Sequence, residues 1–383
     1  MTVLTSKTDT VEIKTGHSNA TDEAIAVRQL SQQLQQPDLS FAVIFISSLY
    51  DLHNLSDCIN NLFSCPVFGC TTSGEITPNG YLQHSVTGFS VAGAGFIAHP
   101  FLFRFLNNAD TNNSAKVMSE LKEHLQEMRR VRPEWGSFGM LLIDGLSVME
   151  ERVIAILANA VGAMPIVGGS AGDDLRFEQT FVFANGSFLS DAALFIVFET
   201  VLPFIPIITQ HFMPSDDRFV ITKTSPEDRI VFEINGRPAA REYARIIGLG
   251  SKDIGPEIFS THPVMLKVGG EYYVCSIQKA NEDASLTFYC AIDEGLVLRI
   301  ARCGNLVANL RKALEKTRDQ IPNIKLTIGF DCILRLLEVN QKQQGTKVNE
   351  ILKQNRVIGF NTYGEQFNSV HINQTFTGIV LGD

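Results

Sequence analysis

A glycine-bracketed turn ending in a carboxylate is written three times in this chain. The copies are Val67-Phe68-Gly69-Cys70-Thr71-Thr72-Ser73-Gly74-Glu75, Ile166-Val167-Gly168-Gly169-Ser170-Ala171-Gly172-Asp173 and Val357-Ile358-Gly359-Phe360-Asn361-Thr362-Tyr363-Gly364-Glu365. Glycine admits positive φ and close backbone approach, so each phrase reads as a buried strand running into a tight loop whose amides and acid face a cleft. There Glu75, Asp173 and Glu365 can bind an amino group, a cation or the edge of a larger ligand. They can equally cap nearby amides, because a carboxylate buried without a partner is costly. Repetition favours an element that lines a shared site. Cys70 follows a strand and a glycine as a nucleophile on a sharp turn would, and a distant histidine such as His371 could activate it, the pattern of a cysteine-dependent hydrolase. Spacing does not fix that pairing. No G-x-S-x-G, Walker loop, zinc-helix motif or dinucleotide fingerprint stands in suitable context, so catalysis ranks below binding.

The elements that must position these residues belong to a chain of 383 residues, longer than one core usually spans, which predicts two domains. A formal charge of −9 and a pI near 5.4 argue against a nucleic-acid partner, which needs clustered Lys and Arg. Arg129-Arg130-Val131-Arg132 is the only dense basic stretch and reads as a solvated helix end. Seven scattered cysteines without a C-x-x-C pair exclude a zinc ribbon, a thioredoxin-type motif and a covalent haem attachment, and predict a reduced, cytoplasmic protein. Met1 to Thr10 is polar and lacks a signal-peptide core. Leu189 to Thr209 is apolar but interrupted by Asp191, Glu199, Pro203 and Pro206, so two strands are expected there and no membrane insertion.

Along the chain, Thr21-Asp22-Glu23 opens a helix through Gln36, Phe41 to Ser47 is a buried strand, and Leu52, Leu55, Ile59 and Leu62 mark a short helix. A strand over Val86 to Ala94, a helix marked by Met118, Leu121, Leu125 and Met128, a strand over Phe138 to Ile143 and a helix over Met149 to Val161 continue the alternation. The rhythm predicts a mixed α/β (α+β) fold with helices packed on mixed sheets, since Asn185-Gly186 and Asn235-Gly236 carry the hairpin signature. Polar residues around Pro226, from Lys223 to Arg229, suggest a boundary that divides the chain into 15–224 and 225–383. Beyond it we expect a helix from Pro238, a hairpin over Gly269-Gly270, a long helix over Leu298 to Lys316, a strand over Lys325 to Gly329 and a helix over Asp331 to Leu337.

Gly329-Phe330-Asp331-Cys332, then Gly359 to Glu365, then His371-Ile372-Asn373-Gln374-Thr375 resembles the C-terminal half of FIST-domain proteins, a bacterial sensory family. The first two glycine phrases resemble the N-terminal half, so the likeness covers nearly the whole chain after residue 15. Where many of the family carry a Cys-x-Pro-type phrase, this chain has His211-Phe212-Met213-Pro214, followed by Phe219-Val220-Ile221-Thr222 and Asn235-Gly236-Arg237-Pro238. That pattern resembles the haem-binding, nitric-oxide-sensing NosP branch. The resemblance implies haem b, with nitric oxide weakening a proximal bond and shifting a conformation that a partner histidine kinase recognises. A homodimer is compatible with it.

For that reading the ligand has to be an imidazole or another soft donor in an apolar pocket, and His211 fits best because Phe204, Ile205, Ile207 and Ile208 precede it. Its alternative is a strand-end histidine hydrogen-bonded to the backbone. Cys65, in Cys65-Pro66, is the second choice of ligand. His371 and Asn373 share a strand face, and a hydrogen-bonding role suits His371 better than iron. His17, His53, His84, His99 and His124 read as solvated, and His262 as a loop residue. With the glycine-turn residues Gly74, Glu75, Gly172, Asp173, Tyr363 and Glu365, these make up the expected site. The haem-free alternative is a sensor that binds a small polar, amino-acid-like metabolite through the same turns.

Overall fold

The computed structural model describes residues 10–106, 111–249, 254–268 and 270–383. The polar leader up to residue 9 and Gly269 of the expected hairpin turn lie outside them. The repetition in the sequence is repetition of a whole folding unit. The first comprises β1 (Glu12–Ser18), α1 (Glu23–Leu34), β2 (Leu39–Ser47), α2 (Leu52–Leu62), β3 (Val67–Thr72), β4 (Glu75–Thr77), β5 (Gly80–Leu82) and β6 (Val86–Ala92). The second repeats that order as β7 (Phe96–Arg104), α3 (Thr111–Val131), β8 (Gly136–Ile143), α4 (Glu150–Val161), β9 (Ile166–Ser170), β10 (Val182–Ala184), β11 (Ser187–Leu189) and β12 (Ala192–Thr200).

The third unit begins with β13 (Phe204–Thr209) and is interrupted by an insert. The insert holds β14 (Phe212–Ser225), β15 (Ile230–Ile234), β16 (Arg237–Pro238), α5 (Ala239–Ile246), α6 (Pro256–Thr261), β17 (Val264–Val268), β18 (Glu271–Cys275), β19 (Ile277–Ala280), β20 (Leu286–Phe288) and β21 (Val297–Cys303). The unit resumes with α7 (Leu306–Arg318), β22 (Ile324–Cys332), α8 (Ile333–Gln341), α9 (Gly345–Gln354), β23 (Val357–Thr362), β24 (Glu365–Phe367), β25 (Val370–Ile372) and β26 (Phe376–Gly382).

Each unit builds a sheet of its own four long strands: β1-β6-β2-β3, β7-β12-β8-β9 and β13-β26-β22-β23. Each sheet is completed by a hairpin donated from another unit. The hairpin β4–β5 pairs with β23, β10–β11 pairs with β3, and β24–β25 pairs with β9. The donation is cyclic, first unit to third, third to second, second to first. Inner faces of all three sheets supply one apolar core, where Phe45 packs against Phe330 and Phe360, and Phe41 against Phe96 and Phe198. The outer faces are covered by α1 and α2, by α3 and α4, and by α7 and α9. Strand residues therefore alternate between the common core and a helix-covered shell, as two-sided burial requires.

The same glycine makes the same close approach in each unit. A Cβ at Gly69, Gly168 or Gly359 would lie 2.0, 2.0 or 1.7 Å from the carbonyl oxygen of Ile44, Leu141 or Gly329 on the parallel neighbouring strand. These positions cannot carry a side chain without prising the pair apart.

One expectation changes, and one expected boundary can be placed on the fold. The stretch from Leu298 to Lys316 is β21 followed by α7 rather than one helix, because Leu298 and Ile300 alternate into the insert core between β14 and β17. The Pro226 region is the turn between β14 and β15 of a single sheet, so the division at 224/225 falls inside the insert. Polar residues and a proline mark a hairpin tip as readily as a linker. Asn185-Gly186 and Asn235-Gly236 do form the expected turns, with φ of 52° and 74°, and 52° and 72°. No described helix is long and apolar enough to cross a membrane.

Candidate functional site

The hairpin exchange brings the three phrases together in a hub. Ser73 N donates to Asn361 O at 3.1 Å, Asn361 N to Gly74 O at 2.8 Å, Gly172 N to Thr71 O at 3.1 Å and Ser170 N to Gly364 O at 2.8 Å. A Cβ at Gly172 would lie 2.2 Å from Ser73 Oγ, so this junction requires glycine. The acids are sealed within their own turns. Glu75 accepts from Thr72 Oγ1 and, at 3.0 and 2.6 Å, from the Ser85 amide and hydroxyl. Glu365 repeats this with Thr362 Oγ1 and the Thr375 amide and hydroxyl, at 3.0 and 2.8 Å. Burial pushes both carboxyls up to about 8 against the pull of those hydrogen bonds, so at neutral pH both hold a proton, and in that form the contact with Thr72 or Thr362 Oγ1 runs from carboxyl to hydroxyl. Asp173 accepts three amides, Phe177 N at 3.0 Å, Glu178 N at 2.7 Å and Gln179 N at 3.1 Å, together with the Tyr363 hydroxyl. All three acids are fully buried and serve as caps.

The expected ligand His211 stands elsewhere, at the neck where the insert leaves the body. Gly304 N donates to His211 O at 2.8 Å, and Phe212 pairs with Cys303, so both ends of the insert meet here. The imidazole is held on both sides: Nε2–H donates to Glu338 Oε2 at 2.8 Å, and Nδ1 accepts from Arg335 Nη1 at 3.3 Å. Glu338 Oε1 also takes Lys342 Nζ at 2.7 Å and the Cys303 thiol at 3.1 Å. Arg335 reaches back to Asp331, which accepts the Tyr81 hydroxyl from the first unit. Asp331, Arg335 and Glu338, all buried, thus form a charged row along α8 and its flanks that ends at the exposed Lys342. Burial lowers the His211 pKa, keeping the ring neutral. Burial alone would raise Glu338, but the His211 hydrogen bond and Lys342 outweigh it and hold the carboxyl at about 2.

An axial ligand must offer iron a free nitrogen lone pair facing an open apolar pocket. His211 offers none in this arrangement: its side chain is 1% exposed and both nitrogens are engaged. Phe212 packs into a small cluster with Met265, Val274 and Ala301, while Met213 and Pro214 point to solvent. Cys65 lines a separate surface groove of about 380 Å³ beside Asn185 and Gly186, and burial raises its thiol pKa to about 11. The residues present therefore do not form a haem site as they stand. Cys70 lies in the common core with its thiol pKa raised by burial, and His371, the base proposed for it, is occupied by other groups.

A third locus lies between the hub and the insert. Tyr289 of the insert packs its ring against Tyr363 and Phe177, with centroids 5.8 and 6.1 Å away. Its carbonyl faces His371 Nε2 at 3.4 Å, and His371 Nδ1 faces Gln366 Nε2 at 3.3 Å. Asn373 Oδ1 accepts Ser276 N at 3.3 Å, and Gln374 Nε2 donates to Phe259 O at 3.0 Å. His371 and Asn373 both rest on Gly364, where a Cβ would come within 2.2 and 3.0 Å of them. Five buried polar atoms in this seam have no hydrogen-bond partner: Ser276 Oγ, Tyr289 Oη, Gln366 Oε1, Asn373 Nδ2 and Gln374 Oε1. The adjoining loop carries Asp174, Leu175 and Phe177 at φ of 58°, 63° and 54°, a concentration of backbone strain.

Of the expected residues, Gly74, Glu75, Gly172, Asp173, Tyr363 and Glu365 meet in the hub, His371 and Asn373 join it at the seam, and His211 and Cys65 stand apart. Sequence reading missed Ser276, Tyr289, Gln366, Gln374, Arg335 and Glu338. Only the last two carried a signal, because Asp331, Arg335, Glu338 and Lys342 recur at three and four residues and so share a helix face.

Three exchanged α/β units with an inserted sheet define a repeat-built mixed α/β protein. Residues 40–237 match the FIST N domain and residues 239–368 the FIST C domain, and the chain belongs to the FIST-domain family, whose domains are sensory. An uncharacterized protein of Methanocaldococcus jannaschii is 22% identical over 381 residues, covering 88% of this chain and 73% of its own length.

Proposed function

We propose that this chain senses a small polar, amino-acid-like molecule at the seam between the three-unit body and the insert. The observation that carries this reading is the set of five unpartnered polar atoms from Ser276, Tyr289, Gln366, Asn373 and Gln374. Buried polar groups are nearly always hydrogen-bonded, so such a concentration marks where a polar guest and its waters belong. Two amide carbonyls suit an ammonium group, while an amide N–H and two hydroxyls suit a carboxylate. A guest bridging body and insert favours one setting of the insert about its neck at His211 and Cys303, and acts only through its differential affinity for the two settings. The recipient implied by the family resemblance is a histidine kinase.

The haem and nitric-oxide reading requires His211 to leave both Glu338 and Arg335, and no feature of the neck favours that. One experiment separates the two. The purified full chain is screened by thermal shift against free amino acids and related zwitterions, beside Asn373→Leu and Tyr289→Phe, and is titrated separately with haemin beside His211→Ala. A guest at a hundred times its dissociation constant should stabilise the chain by about 2.7 kcal/mol, an effect lost in both seam variants. Uniform indifference to the panel, or a stoichiometric Soret band abolished by His211→Ala, would overturn the proposal.

A further inference from the structure

Far from the neck and seam, the second unit gathers two histidines and a glutamate on the outer face of its sheet. His99 on β7 and Glu199 on β12 are diagonal neighbours across the antiparallel pair, since His99 faces Val197, two residues before Glu199. His124 comes from α3, whose buried stripe of Val117, Leu121, Leu125 and Met128 lies against that sheet. The three side chains converge on one point. His99 Nε2 is 3.0 Å and His124 Nε2 3.6 Å from Glu199 Oε1, and the donor atoms lie within 4.8 Å of one another. None of these three atoms makes a properly aligned hydrogen bond, although Glu199 is fully buried. The imidazole centroids are 3.9 Å apart. The other carboxylate oxygen is fixed by Arg132 Nη1 at 3.1 Å, and Arg132 is itself held over the Trp135 ring.

We propose that His99, His124 and Glu199 are the protein ligands of a first-row divalent metal ion of the zinc class. Two imidazoles and one carboxylate are a donor set that zinc accepts, and three protein donors leave a coordination position open. The histidine side chains are 32% and 19% exposed while the three donor atoms are buried beneath them, so an ion reaches the site by displacement of the imidazole rings. Arg132 acts as the outer-shell partner that orients the carboxylate and leaves Oε1 for the metal. Burial lowers the pKa of both imidazoles, with their mutual repulsion adding to it for His99, so their lone pairs are available at neutral pH. A second cluster, His211, Cys303 and Glu338, has donors equally close, but Lys342 already occupies both Cys303 and Glu338.

The test is equilibrium dialysis of the full chain against zinc, with cobalt(II) as a spectroscopic probe. One equivalent should bind, the cobalt form should show tetrahedral d–d bands without a thiolate charge-transfer band, and Cys303→Ser should change nothing. His99→Gln and His124→Gln should each weaken binding more than about 100-fold, beyond the usual loss from an outer-shell partner. Metal-free melting temperatures of both variants, compared with the parent, separate lost ligation from misfolding, and Arg132→Gln, which touches only the other oxygen of the Glu199 carboxylate, should weaken binding less. No stoichiometric binding, a thiolate band, or unchanged affinity in folded His99→Gln or His124→Gln would overturn the site.

Discussion

Glu365→Gln tests whether the hub acids are protonated caps. The folded carboxyl sits at about 8 against an ordinary value of 4.5, so between those limits the folded chain keeps a proton that the unfolded chain has released. Its contribution to stability is complete below pH 4.5, declines as pH rises and is gone above about 8. Each pH unit in that window is worth about 1.4 kcal/mol per group, so from pH 5 to 7.5 Glu365 accounts for a decline of roughly 3 kcal/mol. Glu75, also held at about 8, adds a similar decline. Glutamine has no proton to lose. Its carbonyl can accept from the Thr375 amide and hydroxyl, and its amide can donate to Thr362 Oγ1, so the three hydrogen bonds survive. Urea unfolding midpoints for parent and variant from pH 5 to 8 should converge with rising pH and cross, the variant profile losing about half of the parent's glutamate-driven decline. Infrared spectra at pH 7 should show a protonated carboxyl band that weakens in the variant. Parallel profiles with an unchanged infrared band would refute the reasoning.

Gly359→Ala places a Cβ 1.7 Å from Gly329 O within the parallel pair, and should destabilise by at least about 3 kcal/mol, whereas Gly345→Ala, with nothing within 4 Å, should be neutral or slightly stabilising; equal melting temperatures would refute the close-approach argument. Arg229 of the insert donates to the Tyr289 carbonyl and to the carboxylates of Glu150 and Glu151 on α4. Arg229→Ala leaves Glu150 buried without its cation and should cost about 3–5 kcal/mol, whereas the double change Arg229→Met with Glu150→Gln should recover much of it, as thermal unfolding and hydrogen exchange across β20 would show.

The hydrophobic pattern reported most central strands and shell helices of the body, because strands buried on two faces read as unbroken apolar runs and their helices carry apolar stripes, but it passed over β1, β7 and α9. The three phrases were visible as repeats and do meet. What stayed hidden was the exchange itself: Glu75, Asp173 and Glu365 announce turns, but no local signal says that each hairpin pairs with another unit's sheet. His99 and His124 read as solvated for a similar reason. His124 lies three residues beyond Leu121 and four before Met128, so it shares the buried stripe of α3, and His99 alternates with Phe101 and Phe103 on β7. Either placement is legible only when the opposing element is known to carry Glu199. For Ser276, Tyr289, Gln366 and Gln374 the type and spacing say nothing, because their importance lies in lacking partners.

The cyclic exchange bears on where a signal can arise. Each unit's sheet is finished by a neighbour's hairpin, so displacing one unit breaks ladder hydrogen bonds in another, and the hub acids already have their full complement of partners. The body is thus poorly suited to respond by internal movement. The insert differs: it joins the third unit through two adjacent strands at His211 and Cys303, packs α6 against α8, is clamped to α4 by Arg229 and by the Ala291 amide on Glu151, and meets the hub through aromatic rings and an incompletely paired polar seam. A small guest there competes with little existing hydrogen bonding, so it can favour one insert position at modest energetic cost. The charged row from Asp331 to Lys342 grips the neck from within the body, and the carboxylate of Glu338 ties His211, Cys303 and Lys342 together. A movement of the insert must therefore be carried either by bending beyond the neck or by exchanging partners on Glu338, and the second route couples ligand occupancy to the one buried imidazole at the hinge.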